Sequence, residues 1–68
     1  MEFSERLRHL RKEHKETQVQ TAQEIGITER QYQSLEAGTS LPNFLTLGAL
    51  ADHFHVSVDY LMGRSDER

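Results

Sequence analysis

The sequence contains no cysteine, no tryptophan and only one proline, and it has no long hydrophobic segment. Without cysteine the chain cannot form a disulfide, and it lacks the thiolates that most often hold a structural zinc ion. No apolar run approaches the length of about 20 residues that a membrane-spanning helix needs, and the N-terminus lacks the layout of a signal peptide. These absences predict a soluble, cytoplasmic protein that is stabilised by packing alone.

The chain is also short, at 68 residues. A domain of this size buries only about 60% of the surface that its unfolded chain exposes, so we expect one small domain with a thin hydrophobic core. Well-packed helices or a partner subunit must therefore supply the stability.

Positive charge is scarce, because 8 lysines and arginines stand against 11 acidic residues, for a net charge of -3. This balance argues against a general polyanion binder, since such affinity comes mainly from cations that neutralise phosphates. Between residue 16 and Arg64 the only cation is Arg30. The cations before residue 16 are interleaved with acidic residues, so they can form either an ordinary solvated helix face or a binding patch. These cations are Arg6, Arg8, Arg11, Lys12 and Lys15.

Apolar residues recur at helical spacing through most of the chain, and no stretch alternates convincingly as a strand would. Phe3, Leu7 and Leu10 form the first such series. Each later helix follows a residue whose side-chain oxygen can cap a helix N-terminus, and glycines stop the second and third helices. The sequence predicts an all-α fold of five helices: 3 to about 14, 18 to about 25, one between Thr28 and Gly38, one after Asn43 that includes Phe54, and 58–62.

A helix-turn-helix motif is indicated by the spacing of small and apolar residues in the segment 18–38. Two short helices that cross closely need a small residue at their contact, which Ala22 supplies, and a glycine in the turn, which Gly26 supplies. Tyr32 and Leu35 are three residues apart and can face inward on the second of these helices. Together, at this spacing, these residues are a strong signal.

On these residues the chain resembles the Cro/repressor-type helix-turn-helix family of phage and bacterial transcription regulators, over roughly residues 3–63. The matching segments include FSERLRHLRKE near the start, TQ at 17–18, IGI at 25–27, LP at 41–42 and VSVDYLMG at 56–63. The resemblance implies a compact five-helix bundle of the lambda-repressor-like DNA-binding type, with the motif in helices two and three. It also implies that helix three enters the major groove of double-stranded DNA, usually twice, from a two-fold symmetric homodimer.

Helix three carries the candidate reading residues. If Tyr32 and Leu35 face the core, helical geometry turns the positions between them and before them outward. Arginine can donate two hydrogen bonds to guanine, glutamine can pair with adenine, and glutamate can accept from the amino group of cytosine. The candidates for reading base edges are Glu29, Arg30, Gln33 and Ser34, and Ala37 also faces outward.

Other polar residues are candidates for contacts with the DNA backbone, which position a protein without reading sequence. The resemblance implies that Gln18, at the start of helix two, braces helix three and meets a phosphate. It also implies a structural salt bridge between Arg11 and Glu36 that ties helix one to helix three. The remaining backbone or bracing candidates are Thr17, Thr28, Gln31, Thr39, Ser40 and Asn43.

The four histidines lack the i, i+4 spacing that places two metal ligands on one face of a helix. No glycine-rich phosphate cradle follows a strand, and no nucleophile stands beside an evident base. We therefore expect no metal, no cofactor, no small-molecule ligand, no membrane contact and no enzymatic activity. The histidines, which we expect at the surface or its edge, are His9, His14, His53 and His55.

The sequence departs from the family pattern at three places. Glu16 and Thr21 stand where relatives usually have apolar residues, which predicts a weaker contact between helices one and two. The loop 39–43 carries no cation, so affinity for DNA should depend on Arg30, on the early cations and on a dimer that binds two half-sites. The apolar candidates for the dimer interface, most of which can instead be core, are Val56, Val58, Leu61 and Met62.

Two functions of different classes remain open. The first is a sequence-specific transcriptional regulator, most simply a repressor that binds a palindromic operator as a homodimer; the outward-facing Arg30 favours it. The alternative is a protein-interaction module on the same fold, antitoxin-like or an anti-repressor partner, which the acidity and the uncharged loop favour. In either case we expect the functional domain to cover residues 1–63 and the polar tail 64–68 to be frayed.

Overall fold

The structure, a computed structural model that describes residues 2–68, consists of five α-helices joined by short connections. Residues 2–68 contain no β-strand, and the helices form a bundle of 28 × 23 × 19 Å. The prediction of an all-α, five-helix fold is therefore confirmed. The helices are α1 (Phe3–Glu13), α2 (Gln18–Ile25), α3 (Glu29–Ala37), α4 (Phe44–Phe54) and α5 (Val58–Leu61).

Side-chain caps set where the four helices after α1 begin. The Thr17 hydroxyl accepts from the backbone N–H of Gln20 at 3.1 Å, and Oε1 of Gln20 accepts from the Thr17 N–H at 2.8 Å. Thr28 and Gln31 form the same reciprocal capping box at the start of α3. Each box satisfies two backbone N–H groups that have no partner within the helix. The caps of α4 and α5 are Asn43 and Ser57.

The hydrophobic core receives side chains from all five helices. Tyr32 of α3 is the largest fully buried side chain, and Leu35 beside it is 4% exposed. Burying one large apolar side chain is worth about 1.5–3 kcal/mol, so a few such residues determine how α3 sits in the bundle. The fully buried leucines of the same core are Leu7, Leu10, Leu50 and Leu61.

A polar cluster joins the α1–α2 connection to α2 and α4 at the place where Glu16 and Thr21 depart from the family pattern. Thr21 is fully buried and donates its hydroxyl hydrogen to Oε1 of Glu16 at 2.8 Å. Nε2 of His53 lies 2.7 Å from the same oxygen. Burial raises the pKa of Glu16, but the hydrogen bonds from His53 and Thr21 outweigh burial and leave that pKa below its usual value. Hydrogen bonds to one carboxylate thus replace apolar packing at this junction.

Replacing Glu16 with alanine is expected to lower the free energy of unfolding by about 1–3 kcal/mol, because the buried hydroxyl of Thr21 then loses its acceptor. Combining Glu16→Ala with Thr21→Val should recover part of this loss, since no buried hydroxyl then lacks a partner. Urea denaturation followed by circular dichroism measures both variants. A Glu16→Ala variant as stable as the parent would contradict this role of Glu16.

Residues 64–68 fold back onto α1 and α5, so the prediction of a frayed tail is wrong. The backbone oxygen of Arg68 accepts from the N–H of Ser57 at 2.8 Å, and its guanidinium pairs with both carboxylate oxygens of Glu13. Buried Arg6 donates to the carbonyl oxygens of Tyr60 and Ser65 at 2.8 Å each. The guanidinium of Arg6 also lies 4.0 Å from the centre of the Tyr60 ring, where a cation is attracted to the π face.

Candidate nucleic-acid interface

The turn between α2 and α3 fixes the direction in which α3 leaves α2. Gly26 has a φ of 82°, a left-handed backbone conformation that residues with a Cβ rarely adopt. Its N–H and that of Ile27 both donate to the carbonyl oxygen of Ala22 at 3.0 Å, which closes the end of α2. Ala22 itself is 1% exposed, so a larger side chain there would disturb the core.

The two faces of α3 differ in burial. Tyr32, Leu35 and Glu36 face inward, and none is more than 4% exposed. The opposite face is polar and open to solvent, so it is available to a ligand. Of the four candidate readers on that face, Glu29, Arg30 and Gln33 are exposed and Ser34 is half-buried.

The exposed face of α3 carries one cation. The guanidinium of Arg30 forms no ion pair with any of residues 2–68 and therefore keeps its donors free. Gln33 donates from Nε2 to Oε2 of Glu29 at 3.2 Å, and Ser34 donates its hydroxyl hydrogen to the carbonyl oxygen of Arg30 at 3.2 Å. Chemically, this face can donate strongly through one arginine and accept through its neighbours.

The inward face of α3 is tied to α1 and α2 through Glu36. Arg11 donates from Nε to one carboxylate oxygen of Glu36 at 2.6 Å and from the guanidinium terminus to the other at 3.1 Å. Gln18 donates from Nε2 to that second oxygen at 3.2 Å. Burial raises the pKa of Glu36, but the hydrogen bonds that the carboxylate accepts, above all from Arg11, outweigh burial and leave that pKa below its usual value. Gln18 thus reaches α3 through Glu36 rather than through an exposed residue.

Several candidates for backbone contacts already have local roles. The hydroxyls of Thr17 and Thr28 and the amide of Gln31 are used in capping boxes, and the amide oxygen of Asn43 caps α4. Thr39 donates to the carbonyl oxygen of Ser34 at 3.3 Å. The hydroxyls of Thr17 and Thr28 accept hydrogen bonds in these caps, so their own hydrogens remain available for a further acceptor.

A shallow groove of about 230 Å³ lies between α3, the loop after it and the beginning of α4. Its lining contains no charged side chain, so it can donate hydrogen bonds to a phosphate without neutralising it. The groove is continuous with the exposed face of α3 through Ser34. Its polar lining residues are Gln31, Ser34, Ser40, Asn43 and Thr46.

Two of the residues suggested for a dimer interface lie in the core instead. Val56 is 9% exposed and Leu61 is 0% exposed, and both belong to the hydrophobic core. An exposed apolar surface is found nearby: Leu41, Phe44 and Leu45 are 83%, 87% and 78% exposed. We define the apolar patch as these three residues together with half-exposed Leu47, Val58 and Met62.

No helix within residues 2–68 is both long and apolar enough to pass through a lipid bilayer. In the same residues, no three histidine, cysteine or acidic side chains come together as a metal site would require. His53 is bound to Glu16, and His9 lies 3.5 Å from Glu13 on α1.

Two short helices joined by a glycine turn, with the second presenting an open polar face, define a helix-turn-helix protein built on an all-α bundle. A family model described as Helix-turn-helix matches residues 7–61. The chain belongs to this family, and the resemblance to its Cro/repressor-type members is confirmed.

Curated relatives share most of this chain. YobD of Bacillus subtilis, described as an uncharacterized HTH-type transcriptional regulator, is 43% identical over 65 residues, which are 96% of this chain and 58% of the relative. RstR of Vibrio cholerae, described as a cryptic phage CTXphi transcriptional repressor, is 42% identical over 64 residues, which are 94% of this chain and 57% of the relative. The chain spans somewhat more than half the length of these curated relatives.

Solved structures have the same fold. The P22 c2 repressor, crystallised with the synthetic operator 9T in the presence of Tl+, has a TM-score of 0.90 and 28% identity, covering 96% of this chain and 98% of the other. A transcriptional regulator from Listeria innocua has a TM-score of 0.88 and 33% identity, covering 98% of this chain and 63% of the other.

Proposed function

We propose that this protein is a sequence-specific transcriptional regulator, most simply a repressor, that binds double-stranded DNA through α3 in the major groove. The observation that carries the proposal is the open polar face of α3, where Arg30 is unpaired and Glu29 and Gln33 are exposed. These side chains match the donor and acceptor groups of base edges. The P22 c2 repressor, which has the same fold, was crystallised with an operator.

Phosphate binding in this proposal depends on uncharged donors more than on cations. The groove beside α3 offers Ser40, Asn43 and other polar groups, and no cation lies in the loop 39–43. Because the salt dependence of affinity grows with the number of phosphates that cations neutralise, we expect a shallow dependence for this protein. Contacts with base edges and simultaneous binding to two half-sites then supply most of the preference for one DNA sequence over others.

Selection of bound duplexes from a random library tests the proposal. The regulator function predicts enrichment of one motif, arranged as an inverted repeat with half-sites about 10 base pairs apart from centre to centre. Failure to enrich any sequence would contradict sequence-specific binding.

The homodimer of this proposal uses the apolar patch. The six side chains of the patch are apolar and can pack against those of a second copy. Asp52 lines the same hollow as Phe44 and Leu45, so its carboxylate must stay at the margin of the interface, and each copy carries a net charge of -3. It begins at Leu41, directly beside the groove assigned to DNA, as an interface between copies on neighbouring half-sites requires. A stable interface buries about 800 Å² per partner, and a patch of six side chains falls short of that. We therefore expect a dimer that is weak in free solution and is completed on the operator.

Replacing Leu45 with glutamate is expected to abolish this dimer, because each copy would then have to bury a carboxylate in an apolar interface. The variant should fold normally, since Leu45 is 78% exposed, but should lose affinity for a two-half-site operator by about tenfold or more. Sedimentation velocity with operator present reports the stoichiometry. Gln23→Glu, which adds the same charge at an exposed position of α2, is the control and should still bind as a dimer. A Leu45→Glu variant that keeps two copies on the operator would contradict this interface.

The apolar patch also supports the alternative function, a protein-interaction module. A protein partner would use Phe44 and its neighbours as anchors, since aromatic residues are enriched at the centres of interfaces. The selection experiment separates the two functions, because an interaction module would enrich no duplex.

A further inference from the structure

Glu29 and Gln33 form a hydrogen-bonded pair across one turn of the exposed face of α3. Nε2 of Gln33 donates to Oε2 of Glu29 at 3.2 Å. A carboxylate can only accept, so the amide nitrogen of Gln33 must face Glu29 and the amide oxygen must face away from it. The contact therefore selects one of the two orientations that the terminal amide otherwise adopts, which differ by half a turn.

That orientation matters for reading bases. In the major groove adenine presents an acceptor at N7 beside a donor at N6. Gln33 keeps its amide oxygen and its second N–H free, and these two groups match adenine. The reversed amide would offer the same groups in the opposite order. An amide that is already oriented before binding loses less conformational entropy in the complex, which strengthens the preference for adenine over the other bases.

No other side chain of α3 competes for this contact. Ser34 donates to the backbone oxygen of Arg30, and the guanidinium of Arg30 forms no ion pair within residues 2–68. Glu29 lies in the first turn of α3, where the positive end of the helix dipole favours a carboxylate. The charged form of the acceptor is thus favoured independently of Gln33.

We propose that Glu29 is a positioning residue that fixes the amide of Gln33, so that Gln33 selects adenine at one position of each operator half-site. This inference rests on the proposed function, because it assumes that the exposed face of α3 meets base edges. It goes beyond that function by making the specificity of one residue depend on another. A simple helix-stabilising pair between residues i and i+4 would leave base preference unchanged.

Selection of bound duplexes by a set of variants tests the inference. Gln33→Ala identifies the operator position that Gln33 reads, as the one where the preference for adenine disappears. Glu29→Ala should lower the preference for adenine at that same position from about fivefold or more to about twofold or less. Glu29→Asp should retain the preference, since an aspartate can still accept from a glutamine one turn later. Glu24→Ala, which removes an exposed carboxylate from α2, is the control and should behave like the parent.

The outcomes are distinct. Loss of adenine preference in Glu29→Ala together with its retention in Glu29→Asp supports the positioning role. A preference that stays at the parent level in Glu29→Ala overturns it, even if overall affinity falls. A Gln33→Ala variant that changes no base preference also overturns it while leaving the regulator function intact. Enrichment of no motif by the parent would overturn the proposed function itself, and the inference with it.

Discussion

Replacing Glu36 with alanine is expected to lower the free energy of unfolding by about 3–5 kcal/mol. Glu36 is 4% exposed and accepts hydrogen bonds from Arg11 and Gln18, so its removal leaves the partly buried guanidinium of Arg11 without its counter-charge. A chain of this length has a total stability of about 3–10 kcal/mol, so the loss is a large share of that stability and would unfold the variant if the parent lies at the lower end of the range. Urea denaturation of the parent and the variant measures the difference.

Two further variants separate the loss of the ion pair from a simple loss of packing. Glu36→Gln keeps the size of the side chain and one acceptor oxygen, and it should retain more stability than Glu36→Ala. Removing both charges with Arg11→Met and Glu36→Leu should be less harmful than Glu36→Ala alone, because no buried charge then lacks a partner. Equal stabilities for Glu36→Ala and the parent would contradict the structural role of the ion pair.

The pH dependence of stability follows from the same group. The pKa of Glu36 is lowered in the folded state, so its contribution to stability is present above the pKa of the unfolded chain. The contribution is lost as the pH falls through the lower, folded-state pKa. Parent stability should therefore decline in acid, and the decline should be smaller in Glu36→Gln.

Replacing Arg30 with alanine is expected to weaken operator binding by about thirtyfold or more. A bidentate contact with guanine is worth about 1–3 kcal/mol, and a dimer makes it twice. Preference for guanine should also disappear at one position of each half-site, while the fold is unaffected because Arg30 is exposed. Fluorescence anisotropy with the selected operator measures the affinity.

Arg64→Ala is the matched control, since it removes the same charge from an exposed position outside α3. It should change operator affinity by no more than about threefold, because salt screens the attraction between DNA and a charge that does not touch it. Equal losses in Arg30→Ala and Arg64→Ala, without any change in base preference, would show that Arg30 acts only through its charge.

The sequence was most informative where one residue determines local geometry. Gly26 and Gly38 stop helices through left-handed conformations, and Thr17 and Thr28 cap the helices that follow them, as their positions predict. The inward face of α3 followed from Tyr32, because a large apolar residue on a polar helix has to be buried. Local chemistry of this kind acts over three or four residues and can be recognised without the fold.

Contacts between distant residues could not be predicted in the same way. Arg6 binds carbonyl oxygens of α5 and the tail, and nothing in its local sequence distinguishes it from exposed Arg8 of the same helix. His53 and Glu16 are 37 residues apart and meet only when α4 packs on α2. The apolar patch was missed because Phe44 follows a helix cap and resembles an ordinary core residue in the sequence. Its exposure depends on the direction in which α4 leaves the loop.

The most direct test of the central claim, that α3 enters the major groove, is protection of the selected operator from methylation by dimethyl sulfate. This reagent attacks guanine N7, which lies in the major groove, and adenine N3, which lies in the minor groove. We predict protection of a guanine N7 in both half-sites, lost in Arg30→Ala, with adenine N3 remaining reactive. Protection of adenine N3 alone, or unprotected guanines on a bound operator, would contradict the account.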